Sequence, residues 1–194
     1  EGMRKSHGWA KEHTVYFAAE FSQPYISYGT VLDDKLNDWN VQATGKNVKG
    51  HVRFATNKGE VVLVRIGISA VSIEGARKNL NKEIPQFDFD KVKQHAEKIW
   101  EKELSRIQVE SKNEDKKKIF YTALYHTLIT PNLFTDVDGK YFGMDRKIHT
   151  TKGFDYYTVF SLWDTFRAKH PLFTIIDQKR AGDFVKTLLA KYKE

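Results

Sequence analysis

The sequence contains no cysteine in its 194 residues. Disulfide bonds, thiolate metal sites and a cysteine nucleophile are therefore excluded. This absence leaves the cellular compartment open, since bacterial periplasmic proteins often lack disulfides. Long apolar runs are missing as well: no window approaches the roughly 18 uninterrupted apolar residues of a membrane-spanning helix. The sequence therefore predicts no membrane span.

Several enzyme signatures are also missing. The seven histidines show neither HExxH nor another metal-binding spacing. There is no GxSxG nucleophile elbow, no phosphate-cradling GxxxxGKS/T and no GxGxxG after a strand. The enzyme classes that depend on these motifs are therefore poorly supported.

The N-terminal residues suggest a piece of a longer protein. The segment Glu1–Ser6 has no apolar stretch of the kind found in a signal peptide. The first residue is not an initiator methionine, and a strand-like run begins as early as Val15. We therefore expect the chain to be a fragment.

The formal net charge of +7 comes from 32 basic and 25 acidic residues. Clustered lysines are one feature of nucleic-acid-binding surfaces, because phosphates attract them. Here the clusters are interleaved with acidic residues, an arrangement typical of solvated helices with i,i+4 pairs. The pattern therefore disfavours nucleic acid as a partner, and a basic nucleic-acid-binding or scaffold protein remains the weaker alternative. The lysines concerned are Lys91, Lys93, Lys98, Lys102, Lys112, Lys116, Lys117 and Lys118.

The first part of the chain predicts β-strands. Runs rich in β-branched and aromatic residues cover Thr14–Phe21, Val48–Ala55 and Val61–Ile68. A turn at Asn57–Gly59 predicts that the second and third runs form an antiparallel hairpin. Such strands with polar turns are typical of part of a β-sandwich.

The rest of the chain predicts helices. Apolar residues recur at helical spacing over Ser72–Ile84, and Asp88 or Asp90 can cap a second helix. Ser111 and Glu114 form a capping-box signature before a third helix that Pro131 ends. A last helix carries Phe184, Val185, Leu188, Leu189 and Tyr192 on one face. This order predicts an α+β protein with an antiparallel sheet and a boundary near residues 85–90.

A group of three aspartates and one histidine have competing interpretations. Asp136, Asp138 and Asp145 offer oxygen ligands, but their spacing is not that of an EF-hand, so a turn between two short strands is favoured. Gly143 before Asp145 would let the backbone approach a ligand closely. His126 lies near the end of the third helix, where a core or dipole-stabilised histidine is favoured over a ligand.

The segment Tyr157–Leu172 is the most informative in the chain. It places Trp163, Asp164 and Arg167 within about one helical turn. An aromatic ring beside charged groups suits a sugar. The C–H face of the sugar stacks on the ring, and its hydroxyls form hydrogen bonds with the charged groups. Spacing alone favours the alternative, an amphipathic helix end with a buried tryptophan and a surface Asp–Arg pair.

Four segments resemble glycoside hydrolase family 92, the calcium-dependent exo-α-mannosidases. They are Val15–Pro24, Val64–Glu74, Ile119–Asn132 and Tyr157–Leu172, and they include the strings FYTALYHT and FSLWDTFRA. The resemblance runs over nearly the whole chain in order. It implies a β-sandwich portion over 1–87, a linker helix over 88–110 and the first helices of an (α/α)6 toroid over 111–194.

The resemblance also implies residue roles. Trp163 and Asp164 match the motif that lines the sugar subsite, and Arg167 would orient or pair with Asp164. His126, Asn132 and Asp145 would lie near the cleft. The family inverts the anomeric carbon with a carboxylic acid and a carboxylate base. This pair, and most ligands of the calcium cofactor, are expected beyond Glu194, so no residue here is assigned as catalytic or metal-binding.

The resemblance therefore implies a fragment of a secreted or periplasmic bacterial α-mannosidase that acts on mannose-containing glycans, with α-1,2 linkages preferred. The fragment alone is expected to be inactive. A non-catalytic carbohydrate-binding protein that uses the same Trp163–Asp164 surface is the first alternative.

Overall fold

The computed structural model describes residues 1–8 and 11–194. The fold is α+β with antiparallel sheets, as predicted. The described part contains ten strands: β1 (Gly2–Ser6), β2 (His13–Phe21), β3 (Ser27–Leu32), β4 (Lys35–Asp38), β5 (Val48–Arg53), β6 (Val64–Ser69), β7 (Asn132–Leu133), β8 (Lys140–Phe142), β9 (Ile148–Thr150) and β10 (Tyr157–Thr158). Its six helices are α1 (Ile73–Glu83), α2 (Phe89–Leu104), α3 (Glu114–Ile129), α4 (Leu162–Thr165), α5 (Lys169–Ile176) and α6 (Gln178–Lys193).

The chain forms two compact units. One contains residues 1–18 and 67–194, and the other contains residues 19–66. None of the helices in the described residues is long and apolar enough to cross a membrane. The domain boundaries that the resemblance implies, at 87 and 110, stay a prediction.

The unit of residues 19–66 is built on the antiparallel sheet β4-β3-β5. Its central strand pairs Gly29 with Asp38 on β4 and with His51 on β5. The predicted hairpin between β5 and β6 is therefore wrong, because β5 pairs with β3 and β6 belongs to the sheet β1-β2-β6. The turn at Asn57 is present, with a backbone hydrogen bond of 3.1 Å from the Glu60 amide to the Asn57 carbonyl.

Helix α1 packs directly on the end of β6. Its N-cap is Ser72, whose hydroxyl accepts a hydrogen bond of 2.9 Å from the Gly75 amide. A Cβ atom on Gly67 would lie 2.2 Å from the Ala76 carbonyl oxygen, so the glycine is what lets strand and helix approach. Ala76 and Leu80 are buried at this contact, which makes it part of the core.

A buried carboxylate joins this contact to the first turn after β7. Asp136 is 6% exposed, and its oxygens accept hydrogen bonds from Ser69 Oγ at 2.7 Å and Asn79 Nδ2 at 2.8 Å. The turn itself closes through the Gly139 amide, which donates to the Asp136 carbonyl at 2.8 Å. The predicted turn is confirmed, and the strand that follows it, β8, pairs with β9.

The capping prediction is correct for α2 and wrong for α3. Asp88 accepts from the Lys91 amide at 2.9 Å and caps α2. For α3 the N-cap is Asn113, whose side chain accepts from the Lys116 amide at 3.0 Å. Ser111 instead accepts from the Asn113 amide at 3.1 Å, so it orders the approach to the helix. The two helices meet where Trp100 and Tyr125 lie 4.7 Å apart.

Candidate functional site

The segment before Trp163 is anchored to α6 by a buried hydroxyl. Thr187 is fully buried, and its Oγ1 donates to the Asp183 carbonyl at 2.8 Å. The same oxygen accepts from the Tyr157 amide at 3.2 Å. Lys179 adds a second link, with Nζ 3.0 Å from Asp155 Oδ2 and 2.6 Å from Asp183 Oδ2. These contacts fix where β10 leaves the sheet.

An aromatic cluster around Phe184 holds the next residues. Phe184 is 3% exposed. Tyr157 and Phe160 contact it edge to face, with ring centroids 4.9 and 5.6 Å away. His170 and Phe173 complete the cluster from the far side of α4, at 5.7 and 5.8 Å. The segment that carries Trp163 is thus anchored on both sides by rings that contact the buried Phe184.

The backbone turns sharply just before α4. Val159 has φ = 61°, a left-handed conformation that is unusual for a β-branched residue. Such a residue costs about 1–3 kcal/mol and is typical of ligand-binding segments. Ser161 then begins the four-residue helix α4, and the Thr165 hydroxyl donates to the Ser161 carbonyl at 2.9 Å. The strain is therefore placed immediately before the predicted sugar-binding residues.

The structure exposes the indole of Trp163. The side chain is 85% exposed, so the alternative of a buried tryptophan at this position is wrong. Asp164 is also exposed, and its carboxylate accepts a hydrogen bond from the Ser161 hydroxyl. A flat apolar face and an oriented carboxylate thus stand side by side in solvent, which is the arrangement that a sugar requires.

Arg167 does not pair with Asp164. In the described part of the chain the guanidinium makes no ion pair with that carboxylate, and it lies over the Phe166 ring at 5.4 Å from the centroid. The predicted Asp164–Arg167 pair is therefore wrong, since the guanidinium is directed to the Phe166 ring. The cation–π contact keeps Arg167 on the same short segment as Trp163, with its donors exposed to solvent.

Asn132 is joined to this segment by strand pairing. β7 and β10 pair antiparallel, with Asn132 opposite Thr158. The exposed side chain donates through Nδ2 to the Ile129 carbonyl at 2.9 Å. Asn132 also lines a cavity of about 300 Å³ together with Trp100 and Tyr157. The structure therefore places Asn132 on the strand beside the one that leads to Trp163.

Asp145 is held within its own hairpin. Its Oδ1 lies 2.8 Å from His149 Nε2 and accepts from the Lys147 amide at 3.0 Å. The contact with His149 lowers the pKa of Asp145 below its ordinary value. Gly143 admits the His149 ring, since a Cβ there would lie 2.6 Å from it. The close approach that Gly143 permits is therefore to this histidine.

His126 lies in the last turn of α3, with its ring 5.8 Å from that of Tyr125. The side chain is exposed, so the interpretation as a core histidine is wrong. Its place near the helix C-terminus agrees with the dipole-stabilised alternative. Trp163 and Asp164 thus lie on α4 and Arg167 in the turn that follows it, Asn132 is on a paired strand, and Asp145 and His126 belong to two other parts of the chain.

Sequence analysis missed a carboxylate at the end of α6. Glu194 accepts hydrogen bonds from Tyr141 Oη at 2.6 Å, Tyr156 Oη at 3.2 Å and the Met144 amide at 2.9 Å. The two tyrosine rings stack with centroids 3.8 Å apart. Burial, followed by the charge of Glu194, raises the pKa of Tyr156. No sequence motif marks this contact, since its members are up to 53 residues apart.

The described residues contain no cluster of side chains that would bind calcium. Among the residues that the structure describes, no group of three or more histidine or acidic side chains could hold a metal ion. Asp136 is engaged by Ser69 and Asn79, and Asp138 lies 3.2 Å from Lys78 Nζ. The described side chains therefore do not form a complete metal site by themselves.

Comparison with known proteins identifies the family. Residues 1–69 match the N-terminal domain of glycosyl hydrolase family 92, and residues 75–194 match its catalytic domain. A curated relative, an uncharacterized secreted glycosidase from Arthroderma benhamiae, is 35% identical over 78 residues, which cover 38% of this chain and 10% of that protein.

Solved structures agree with this match. A family GH92 alpha-mannosidase from Bacteroides thetaiotaomicron is 38% identical, with a TM-score of 0.91, over 99% of this chain and 27% of that one. An inverting mannosidase of the same family and organism is 30% identical, with a TM-score of 0.87, over 93% of this chain and 25% of that one. The chain thus spans about a quarter of their length. It belongs to glycosyl hydrolase family 92.

Proposed function

We propose that this chain is part of an exo-acting α-mannosidase and supplies sugar-binding residues of its active site. The observation that carries the proposal is the exposed indole of Trp163 beside the oriented carboxylate of Asp164. One similar protein, the family GH92 alpha-mannosidase from Bacteroides thetaiotaomicron, has been solved in complex with mannoimidazole. That structure covers 99% of this chain at 38% identity and supports mannose as the sugar.

Each residue has a distinct role in this proposal. Trp163 stacks on the C–H face of a terminal mannose, and Asp164 accepts hydrogen bonds from its hydroxyls. The Ser161 hydroxyl orients Asp164, since it already donates to that carboxylate. Arg167 offers guanidinium donors from the next turn. Asn132, Asp145 and His126 remain secondary candidates for contacts further along the glycan.

The reaction is hydrolysis with inversion. A carboxylic acid protonates the leaving oxygen while a carboxylate removes a proton from the attacking water. The two carboxyl groups lie roughly 6.5–9.5 Å apart, which leaves room for that water. No residue of this chain is given either role in the proposal. We place the acid and the base in the remainder of the protein, together with the ligands of a calcium ion, and expect this chain alone to be inactive.

The substrates proposed are glycans that end in α-linked mannose, with α-1,2 linkages preferred. Release from the cell is supported by one curated relative, which is described as secreted. A secreted or periplasmic enzyme would meet such glycans outside the cytoplasm.

Mannose release from α-1,2-mannobiose tests whether this chain binds the sugar while the acid and base lie in the remainder of the protein. The 194-residue chain should show no turnover, with calcium present or chelated, while it binds methyl α-D-mannoside. Turnover by the chain itself would overturn the placement of the acid and base. Binding that persists unchanged in Trp163→Ala would overturn the role of the indole.

A further inference from the structure

A second exposed tryptophan lies in the unit of residues 19–66. Trp39 follows β4 directly, and its side chain is 61% exposed. Its φ is 60°, so this residue adopts the left-handed backbone conformation, which is rare for residues other than glycine. Strained residues of this kind are typical of ligand-binding segments. The function proposed above makes no use of this residue.

Specific contacts hold Trp39 in this conformation. Its backbone amide donates to the Tyr28 carbonyl at 2.9 Å. The Tyr28 ring contacts the indole edge to face, with centroids 5.4 Å apart at 79°. Tyr25 supports Tyr28 in the same way, at 5.7 Å and 80°. The three rings therefore form a braced row that still leaves most of the indole in solvent.

Strand register places polar groups on the same face. Side chains alternate along a strand, so Tyr28 and Thr30 share one face of β3. Thr30 pairs with Asn37 on β4 and with Gly50 on β5, which brings both residues to that face. The Asn37 side chain is exposed. A Cβ on Gly50 would meet nothing within 4 Å, so the face is open above this strand.

One unsatisfied hydroxyl lies on this face as well. Thr30 Oγ1 is buried and finds no hydrogen-bond partner among the residues that the structure describes. Buried polar groups without a partner are uncommon in native proteins. Because protein atoms cover this oxygen, the polar group that the face presents to a ligand beside the aromatic row is the exposed Asn37 amide, a neutral group that suits hydroxyls better than charges.

The charged residues nearby point to the same ligand class. Asp38 and His51 lie on the opposite face, because both pair with Gly29. Lys35 pairs with Leu32 and adds one ammonium group at the end of the face that carries Thr30. A single cation is too little for a polyanion, which is bound by clusters. An aromatic row with neutral polar groups matches a neutral polyhydroxylated ring.

We propose that Trp39, Tyr28 and Asn37, here termed the Trp39 platform, bind pyranose units of a glycan without cleaving them. The indole stacks on the C–H face of the sugar, while the exposed Asn37 amide forms hydrogen bonds with its hydroxyls. This surface lies in a different compact unit from Trp163. Only the choice of mannan as the test glycan rests on the proposed function.

Isothermal titration calorimetry, in which soluble α-mannan is added to the 194-residue chain, tests the platform. All variants carry Trp163→Ala, which removes the indole of the other site. Trp39→Ala should weaken binding by about tenfold, and Trp39→Tyr should keep most of it, because stacking is retained. Asn37→Ala should weaken binding by a smaller factor. Far-UV circular dichroism verifies that each variant is folded.

Leu36→Ala is the matched control. Leu36 is 53% exposed on the same short strand, and it pairs with Val31, so it lies on the opposite face from Thr30. Its replacement should leave mannan affinity within about twofold, which is less than 0.5 kcal/mol. If Leu36→Ala weakened mannan binding as much as Trp39→Ala does, the platform would be overturned, because any exposed apolar side chain would then have the same effect.

The remaining outcomes separate this inference from the proposed function. If Trp163→Ala alone abolishes mannan binding, the platform is overturned while the Trp163 site stands. If mannan does not bind but a β-glucan or xylan binds in a Trp39-dependent way, the platform stands, only the choice of mannan as its ligand is wrong, and the Trp163 site is unaffected. If none of these glycans binds, the platform is overturned. A dimer in sedimentation that Trp39→Ala converts to a monomer would also overturn it, because the face would then join two copies.

Discussion

The Ser161 hydroxyl donates a hydrogen bond to the Asp164 carboxylate, which fixes the orientation of Asp164 one residue after the exposed indole of Trp163. Ser161 is the N-cap of α4 and lies three positions before Asp164, whose amide also donates to the Ser161 carbonyl at 3.1 Å. A carboxylate held in this way loses little conformational freedom when it binds sugar hydroxyls.

Trp163→Ala should separate binding from folding. We expect the affinity of the chain for methyl α-D-mannoside to fall by about tenfold, because the stacking surface is lost. The free energy of unfolding should change by no more than about 0.5 kcal/mol, since the side chain is 85% exposed. Calorimetry and urea denaturation measure the two quantities. A large drop in stability with unchanged affinity would show that the indole is structural.

Thr187→Val should loosen the segment that leads to Trp163. The variant keeps the shape of the side chain but leaves the buried Asp183 carbonyl and Tyr157 amide without the Thr187 partner. We expect a loss of about 1–3 kcal/mol in the free energy of unfolding, measured in urea. Thr174→Val is the matched control, because the Thr174 hydroxyl bonds a carbonyl on an exposed helix surface. Equal effects of the two variants would argue against the anchor.

Gly75→Ala and Gly182→Ala should change stability in opposite directions. Both glycines are helical, and alanine in a helix is ordinarily favoured by up to about 1 kcal/mol. At Gly75 a Cβ would lie 2.3 Å from Asp136 Oδ2, so we expect a net destabilisation of about 1–3 kcal/mol. At Gly182 a Cβ meets nothing within 4 Å, and the helix preference should prevail. Thermal unfolding decides, and a stabilised Gly75→Ala would contradict the contact with Asp136.

Protonation of His170 should lower the stability of the folded protein as the pH is lowered. Burial, assisted by the charge of Lys169, lowers the pKa of His170 below its ordinary value of 6.5 in the folded protein. The unfolded chain then binds the proton more readily, so this contribution to stability is present above about pH 6.5 and is lost as the pH falls toward the lower folded value. We expect the melting temperature to drop less between pH 7.5 and 5.5 in His170→Gln than in the parent chain. Identical pH profiles would rule out this residue.

The local elements of the fold were predictable from the sequence. Ser72 and Asp88 cap helices as expected, because a cap depends on residues within one turn. Strand pairing was less accessible. Strands β3 and β4 were not predicted, and β5 was paired with β6, because Asn57–Gly59 looks like a hairpin turn whichever strands it connects. Register depends on partners far apart in the sequence.

The candidate site was predictable as a segment, and its contacts were not. The sequence identified Trp163, Asp164 and Arg167, but helical spacing favoured burial of the indole, which the structure exposes. The expected Asp164–Arg167 pair is absent, and the Asp164 carboxylate accepts a hydrogen bond from Ser161 instead. The Glu194 contacts depend on α6 returning to the β8–β9 hairpin, a tertiary relation without a local signal.

The most direct test of the account is kcat/KM for α-1,2-mannobiose in the complete enzyme that contains this chain, compared between the parent and Asp164→Ala. We predict a loss of several kcal/mol of transition-state stabilisation, which is a fall of roughly a thousandfold or more, because in the proposed role the carboxylate binds sugar hydroxyls in the active site. Ser161→Ala should cause a smaller fall, since it removes only the group that orients Asp164. An unchanged kcat/KM in Asp164→Ala would contradict the sugar-binding role of this segment.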